Sequence, residues 1–103
     1  MTVWEILVPR KHNDGTKFKI AHHRKWDKMV RELTGGLTIH PPTVKGEWVA
    51  PDGQLFVDST VPVRIMCSRD MIQQIMDLTA RHYEQKAVMA YLVSKEVLIQ
   101  HYE

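Results

Sequence analysis

From Leu55 to Cys67 the chain alternates: Leu55, Val57, Val61, Val63, Ile65 and Cys67 fall on one side, and Phe56, Asp58, Thr60, Pro62, Arg64 and Met66 on the other. A period of two sustained over that length demands a long strand, whose first set lies against a cover. At Ser68 the period switches. Ser68 is a good N-cap, Asp70 complements the helix dipole in the first turn, and Met71, Ile72, Ile75, Met76, Thr79 and Tyr83 form an apolar stripe that predicts a helix ending near Glu84.

The same two periods divide the rest of the chain. Thr2 to Val8 is bulky and β-branched, and Pro9 ends it as a strand. Asn13, Asp14 and Gly15 are turn formers, so the basic stretch from Arg10 to Lys19 reads as a surface loop. From Ala21, His22 or His23, Trp26, Met29, Val30 and Leu33 recur at helical spacing opposite a charged side, and Gly35 and Gly36 supply a helix stop near Thr34. Leu37 to Ile39 opens a second strand. His40, Pro41 and Pro42 interrupt it, since proline cannot donate to a ladder, and Val44 to Ala50 resumes it. Pro51, Asp52 and Gly53 make a hairpin turn into the long alternating strand. Ala87 to Val93 forms a last core strand, which Val97 to Tyr102 could extend. The order predicts a single α+β domain over 1–103: a ferredoxin-like βαββαβ sandwich, with two helices on one face of a four-stranded antiparallel sheet.

With 103 residues the chain holds one core, not two. Its apolar and charged fractions, 44% and 25%, are those of a globular protein that folds without a cofactor. Cys67 is the one cysteine, so no internal disulfide forms; in the apolar register of its strand it reads as a core thiol, and a reducing, cytoplasmic setting is expected. The first residues do not resemble a secretion signal, and no apolar run approaches a bilayer span. The net charge of +2 is unevenly spread: eight bases face four acids through Thr34, and six face eight beyond it. Arg10, Lys11, Lys17, Lys19 and Arg24 are therefore candidates for binding an anionic ligand.

The sheet face away from the helices should carry Phe56, Pro62 and Met66, with Trp4 or Trp48 adding to it. Such apolar area marks an interface, so a homodimer or a higher ring is expected. Asn13-Asp14-Gly15, Trp26, Gly35-Gly36-Leu37-Thr38, Gly46, Trp48, Pro51-Asp52-Gly53 and Gln85-Lys86-Ala87-Val88 together resemble a family of small, uncharacterised bacterial ferredoxin-like domains of unknown function. These are turn and packing residues, so the resemblance implies a fold and no activity. A looser likeness of topology extends to PII-like signalling proteins and dimeric α/β-barrel proteins. PII-like proteins bind nucleotides with a long loop where this chain has only the turn at Asp52 and Gly53, which argues against nucleotide sensing.

The chemistry-bearing residues are sparse. Six histidines suggest metal binding, but His22 and His23 point about 100° apart on a helix and lack an i+4 partner, so no metal site is assigned. An enzyme reading places His40, His22 or His23, Asp58 and Arg64 at a cleft between sheet and helix, with a histidine as acid or base. A nucleic-acid reading would use the basic loop with Phe18 and Trp26 as stacking groups, yet Trp26 lies on the apolar stripe. The leading reading is a non-catalytic oligomeric binding or accessory module, ahead of a small dimeric enzyme with a cleft histidine.

Overall fold

The computed structural model describes residues 2–39, 44–49 and 51–103, and the backbone alone at 44–46, 48 and 56–58. In chain order it contains β1 (Thr2–Pro9), α1 (Ile20–Thr34), β2 (Thr38–Ile39), β3 (Val44–Val49), β4 (Leu55–Cys67), α2 (Arg69–His82) and β5 (Ala90–Ser94). The long alternating strand is the spine of the sheet. β4 pairs with β1 from Thr2 opposite Cys67 to Pro9 opposite Thr60. Along its other edge β2 and β3 lie end to end, Ile39 opposite Val63 and Val44 opposite Thr60, so they fill a single strand position. β5 pairs with the far side of β1. All pairings are antiparallel, and the fold is the ferredoxin-like sandwich that the order of elements predicts.

Both helices cover the same face. Ile6, Val8, Val63, Ile65 and Cys67 from the sheet are buried with Trp26 and Val30 of α1, Ile72 and Ile75 of α2, and Phe18 and Tyr83 from the adjoining turns. Burying a large apolar side chain contributes about 1.5–3 kcal/mol, so this layer supplies most of the driving force. The start of α2 and the end of α1 are set as the sequence indicates. Ser68 Oγ accepts from Met71 N at 3.1 Å. Gly35, at φ 84°, lets its N–H reach the Arg31 carbonyl at 2.7 Å.

A polar joint ties the two helices together inside this apolar layer. Trp26 Nε1 donates to Thr79 Oγ1 at 2.9 Å, and the Thr79 hydroxyl donates to the Ile75 carbonyl at 2.6 Å. Trp26 and Thr79 are both buried, so the indole N–H relies on the Thr79 hydroxyl for its partner.

Four expectations are corrected. Trp4 shares the helix-facing side of β1 with Ile6 and Val8 and packs against the core rather than the open face. Leu55 is exposed, because β4 runs 13 residues, roughly 43 Å at strand rise, whereas the 15 residues of α1 span roughly 22 Å. The β3–β4 hairpin therefore overhangs the helices. The last strand starts at Ala90, not Ala87, and Val97 to Tyr102 form no strand: Ser94 already stands opposite Val3, near the end of β1, and the ladder has no backbone left to pair with. α2 stops at His82, and Glu84 takes up a positive φ of 53° in the turn that follows.

Replacing Thr79 with valine keeps the volume and removes the acceptor of the Trp26 indole. Urea unfolding should show a loss of about 1–3 kcal/mol; a loss below about 0.5 kcal/mol would mean the joint adds nothing beyond packing.

Candidate ligand cleft

Where the first half of α1 stands off the sheet, a cleft of about 360 Å³ opens. Its floor is Val8, Val61 and Val63. Phe18, Ile20, Trp26, Ile39 and Tyr83 complete its apolar and aromatic lining, and Arg10, Lys17, His23 and Asp27 supply the polar groups. An apolar, aromatic hollow with a few convergent polar groups, in the size range of small-molecule sites, is the form in which such ligands are usually held.

The polar groups are coupled. His23 and Asp27 are four residues apart and so share a face of α1. His23 Nδ1 lies 2.7 Å from the Tyr83 hydroxyl. Burial, helped by the nearby His22, holds the His23 imidazole below its ordinary pKa, so it is neutral at pH 7 and its Nε2 stands outside the tyrosine bond. Burial also raises the Asp27 carboxyl above its ordinary value, against the opposing pull of Arg31 and His23. The Tyr83 phenol is pushed far up, by burial first and then by Asp27, and stays protonated.

Beside this cleft four rings stack in a column. His12 lies 3.8 Å from Phe18, Phe18 5.0 Å from His22, and His22 3.8 Å from His82, centroid to centroid. His22 Nε2 donates to the His82 carbonyl and His82 Nε2 to the His22 carbonyl, each at 2.7 Å. Since a carbonyl only accepts, both rings carry their proton on Nε2. That leaves them packing the start of α1 onto the end of α2.

The sequence candidates are thus dispersed. Arg10 and Lys17 line the cleft; Lys19 lies outside it, Lys11 pairs with Lys17 across the loop through the backbone, and Arg24 is exposed on α1. His22 belongs to the ring column, and its neighbour His23 reaches the cleft. Arg64 is not brought to the cleft: its Nε donates to Glu5 Oε1 at 3.1 Å on the opposite sheet face, because it sits one residue out of register with Val63 and Ile65. His40 and the side chain of Asp58 lie outside the described residues. Cys67 is buried, and burial raises its thiol pKa. Sequence reading missed Asp27 and Tyr83. The i, i+4 spacing of His23 and Asp27 was the available signal for the former; Tyr83 was hidden as the last residue of an apolar stripe. Among the described residues no group of three His, Cys, Asp or Glu could hold a metal, and no helix is long and apolar enough to cross a membrane.

No family model matches the chain, and no curated protein is significantly similar to it in sequence. Solved structures do share its fold. A phage SAM lyase in complex with S-methyl-5'-thioadenosine superposes with a TM-score of 0.67 at 16% identity, over 90% of this chain and 80% of that one. The divalent cation tolerance protein CutA1 of Thermus thermophilus gives 0.64 at 13% identity, over 94% and 86%. The periplasmic CutA of Archaeoglobus fulgidus also gives 0.64, at 10% identity over 96% and 87%. At these identities the likeness is one of fold: the chain is a ferredoxin-like domain in the arrangement of the CutA1 proteins.

The folded chain releases the His23 proton more readily than the unfolded chain. As the pH falls through 6.5 the unfolded state takes up a proton first, and stability drops until the folded ring also protonates. Above 6.5 this contribution is complete. Denaturation midpoints measured from pH 7 down to about 5 should therefore fall less steeply in His23→Gln than in the parent protein.

Proposed function

We propose that this domain is a small-molecule-binding module that works as a homo-oligomer in the cytoplasm, with its ligand in the cleft between α1, Tyr83 and the sheet. The observation that carries this reading is the cleft itself: about 360 Å³ with a mostly apolar lining, and Arg10, Lys17, His23 and Asp27 as its charged or titratable groups. Phe18, Trp26 and Tyr83 are themselves buried in the core, so the cleft offers an apolar hollow rather than a stacking platform, and the donor-acceptor pair suits the polar edge of a small ligand. A nucleoside-like ligand fits that chemistry. The shared fold with a phage SAM lyase that holds S-methyl-5'-thioadenosine supports the same class. Titration calorimetry with S-methyl-5'-thioadenosine and S-adenosylmethionine should show saturable binding, abolished when Val61→Trp fills the floor. Absence of binding by both compounds removes the nucleoside class, and undiminished binding to V61W removes the cleft.

A second reading rests on His23. In the tautomer whose Nδ1–H donates to the Tyr83 oxygen, neutral His23 has a bare Nε2, and with Asp27, whose carboxyl pKa is raised, on the same helix face, the cleft could support general-base proton transfer in a small enzyme. S-adenosylmethionine incubated with the protein and followed by chromatography stays intact under the first reading. Under the second it is consumed, and His23→Gln stops its loss.

The oligomer is supported by where the exposed apolar side chains gather. Met89, Tyr91, Leu92 and Val93 in and beside edge strand β5, with Leu98, Ile99 and Tyr102 beyond it, are all exposed. A sheet edge and an apolar strip side by side suit a second copy of the chain, as a dimer or a larger ring. Sedimentation at tens of micromolar should give at least twice the mass of one chain, reduced to one by Leu98→Glu with Tyr102→Glu; a monomer in the parent protein removes this part of the proposal.

A further inference from the structure

Next to the cleft, on the other side of Phe18, the surface sinks into a second basin, of about 490 Å³. Its charged walls are Lys17, Lys19 and Lys25, and His12, His22 and Thr16 complete its polar lining. No acid is among the described residues that line it, and among the described residues no ion pair occupies any of the three lysines. The acid of the loop, Asp14, is exposed and does not line the basin; its Oδ1 accepts from Thr16 N at 2.9 Å and from Thr16 Oγ1 at 2.6 Å, which holds its carboxyl below the usual range.

The basin has a built shape. The loop behind it is a miniature hairpin: Lys11 and Lys17 are bridged, Phe18 N donates to the Arg10 carbonyl at 3.0 Å, and His12 N donates to the Thr16 carbonyl at 2.7 Å. Asn13 Nδ2 ties its tip to the Glu84 carbonyl at 3.2 Å. The stacked rings of His12, Phe18 and His22 hold its floor against α1. Three exposed lysines lining one open basin, on a backbone that is hydrogen-bonded in place, recover little attraction from one monovalent anion and much more from a chain of phosphates.

Lys17 and Phe18 line both hollows, so basin and cleft are two rooms with one shared wall. We propose that the basin receives the phosphate chain of a phosphorylated small molecule whose flat body occupies the cleft. The ligand is then a nucleoside di- or triphosphate rather than an uncharged nucleoside, held by the Arg10–Lys19 loop and α1 and not by the short turn at Asp52 and Gly53 that speaks against a PII-like mode of nucleotide sensing. This rests on the cleft reading for the body of the ligand and on the basin alone for its phosphates.

The two parts are separable by probe. Inorganic pyrophosphate tests the basin without the cleft, and S-methyl-5'-thioadenosine tests the cleft without the basin. Pyrophosphate titrated calorimetrically at low salt should bind one per chain, roughly three- to tenfold more weakly for each of Lys17→Ala, Lys19→Ala and Lys25→Ala, and more weakly still as salt is added. The control Lys95→Ala, beside Ser94 at the far end of β1 from this loop, should bind as the parent does. Adenosine diphosphate should bind more tightly than either probe, and lose that advantage in the triple lysine variant. Unchanged melting temperature in these surface variants confirms that they fold. No pyrophosphate binding, or equal binding by parent and triple variant, overturns the inference and leaves the cleft reading standing. Adenosine diphosphate no tighter than pyrophosphate breaks the link between the rooms. A single-stranded oligonucleotide that binds in preference to adenosine diphosphate, and displaces it, would make the basin a nucleic-acid surface and overturn the inference as well.

Discussion

Trp26 and Thr79 hold the molecule's layers in register. An indole placed in an apolar core brings a large buried area and one N–H that must be satisfied, and Thr79 is the hydroxyl that satisfies it, 2.9 Å away. This fixes the rotation of α1 about its axis relative to α2. Once that rotation is set, Val30 faces the sheet, His23 reaches Tyr83, and His22 stacks on His82. The cleft and the ring column are thus consequences of the same joint, and a helix turned by one position would lose both.

Length mismatch shapes the rest of the surface. β4 outruns the helices that cover it, and the chain outruns β1 once it passes Ser94. Apolar residues at both overhangs, Val49 and Leu55 at one and Leu98, Ile99 and Tyr102 at the other, are left without cover from their own chain. A free domain would gain by trimming them. These are the surfaces on which the proposed contact between copies of the chain would fall.

The cleft is where the molecule departs from its most stable design. Burial disfavours the charged forms of both Asp27 and His23, so each holds its place against the desolvation it suffers, while a valine and a phenylalanine there would cost nothing of the kind. The ring column beside it is different: His22 and His82 each find a carbonyl and a stacked neighbour, which makes the pair a structural clamp. Adjacent histidines on one helix serve two different ends because a step of one residue turns about 100°.

Local order was legible in the residues. Period-two alternation from Leu55, the cap at Ser68, the stop at Gly35 and the turn at Asp52-Gly53 each act over a few residues, through dihedral preference and the direction of side chains. They determine the elements, their order and the face each buries, and so the ferredoxin-like sandwich. The limits of the last strand, the side on which Trp4 falls, and the meeting of His23, Asp27 and Tyr83 were decided in three dimensions. A ladder ends where its partner ends, and a cleft exists only where two packed layers fail to touch; neither depends on the sequence of one segment alone.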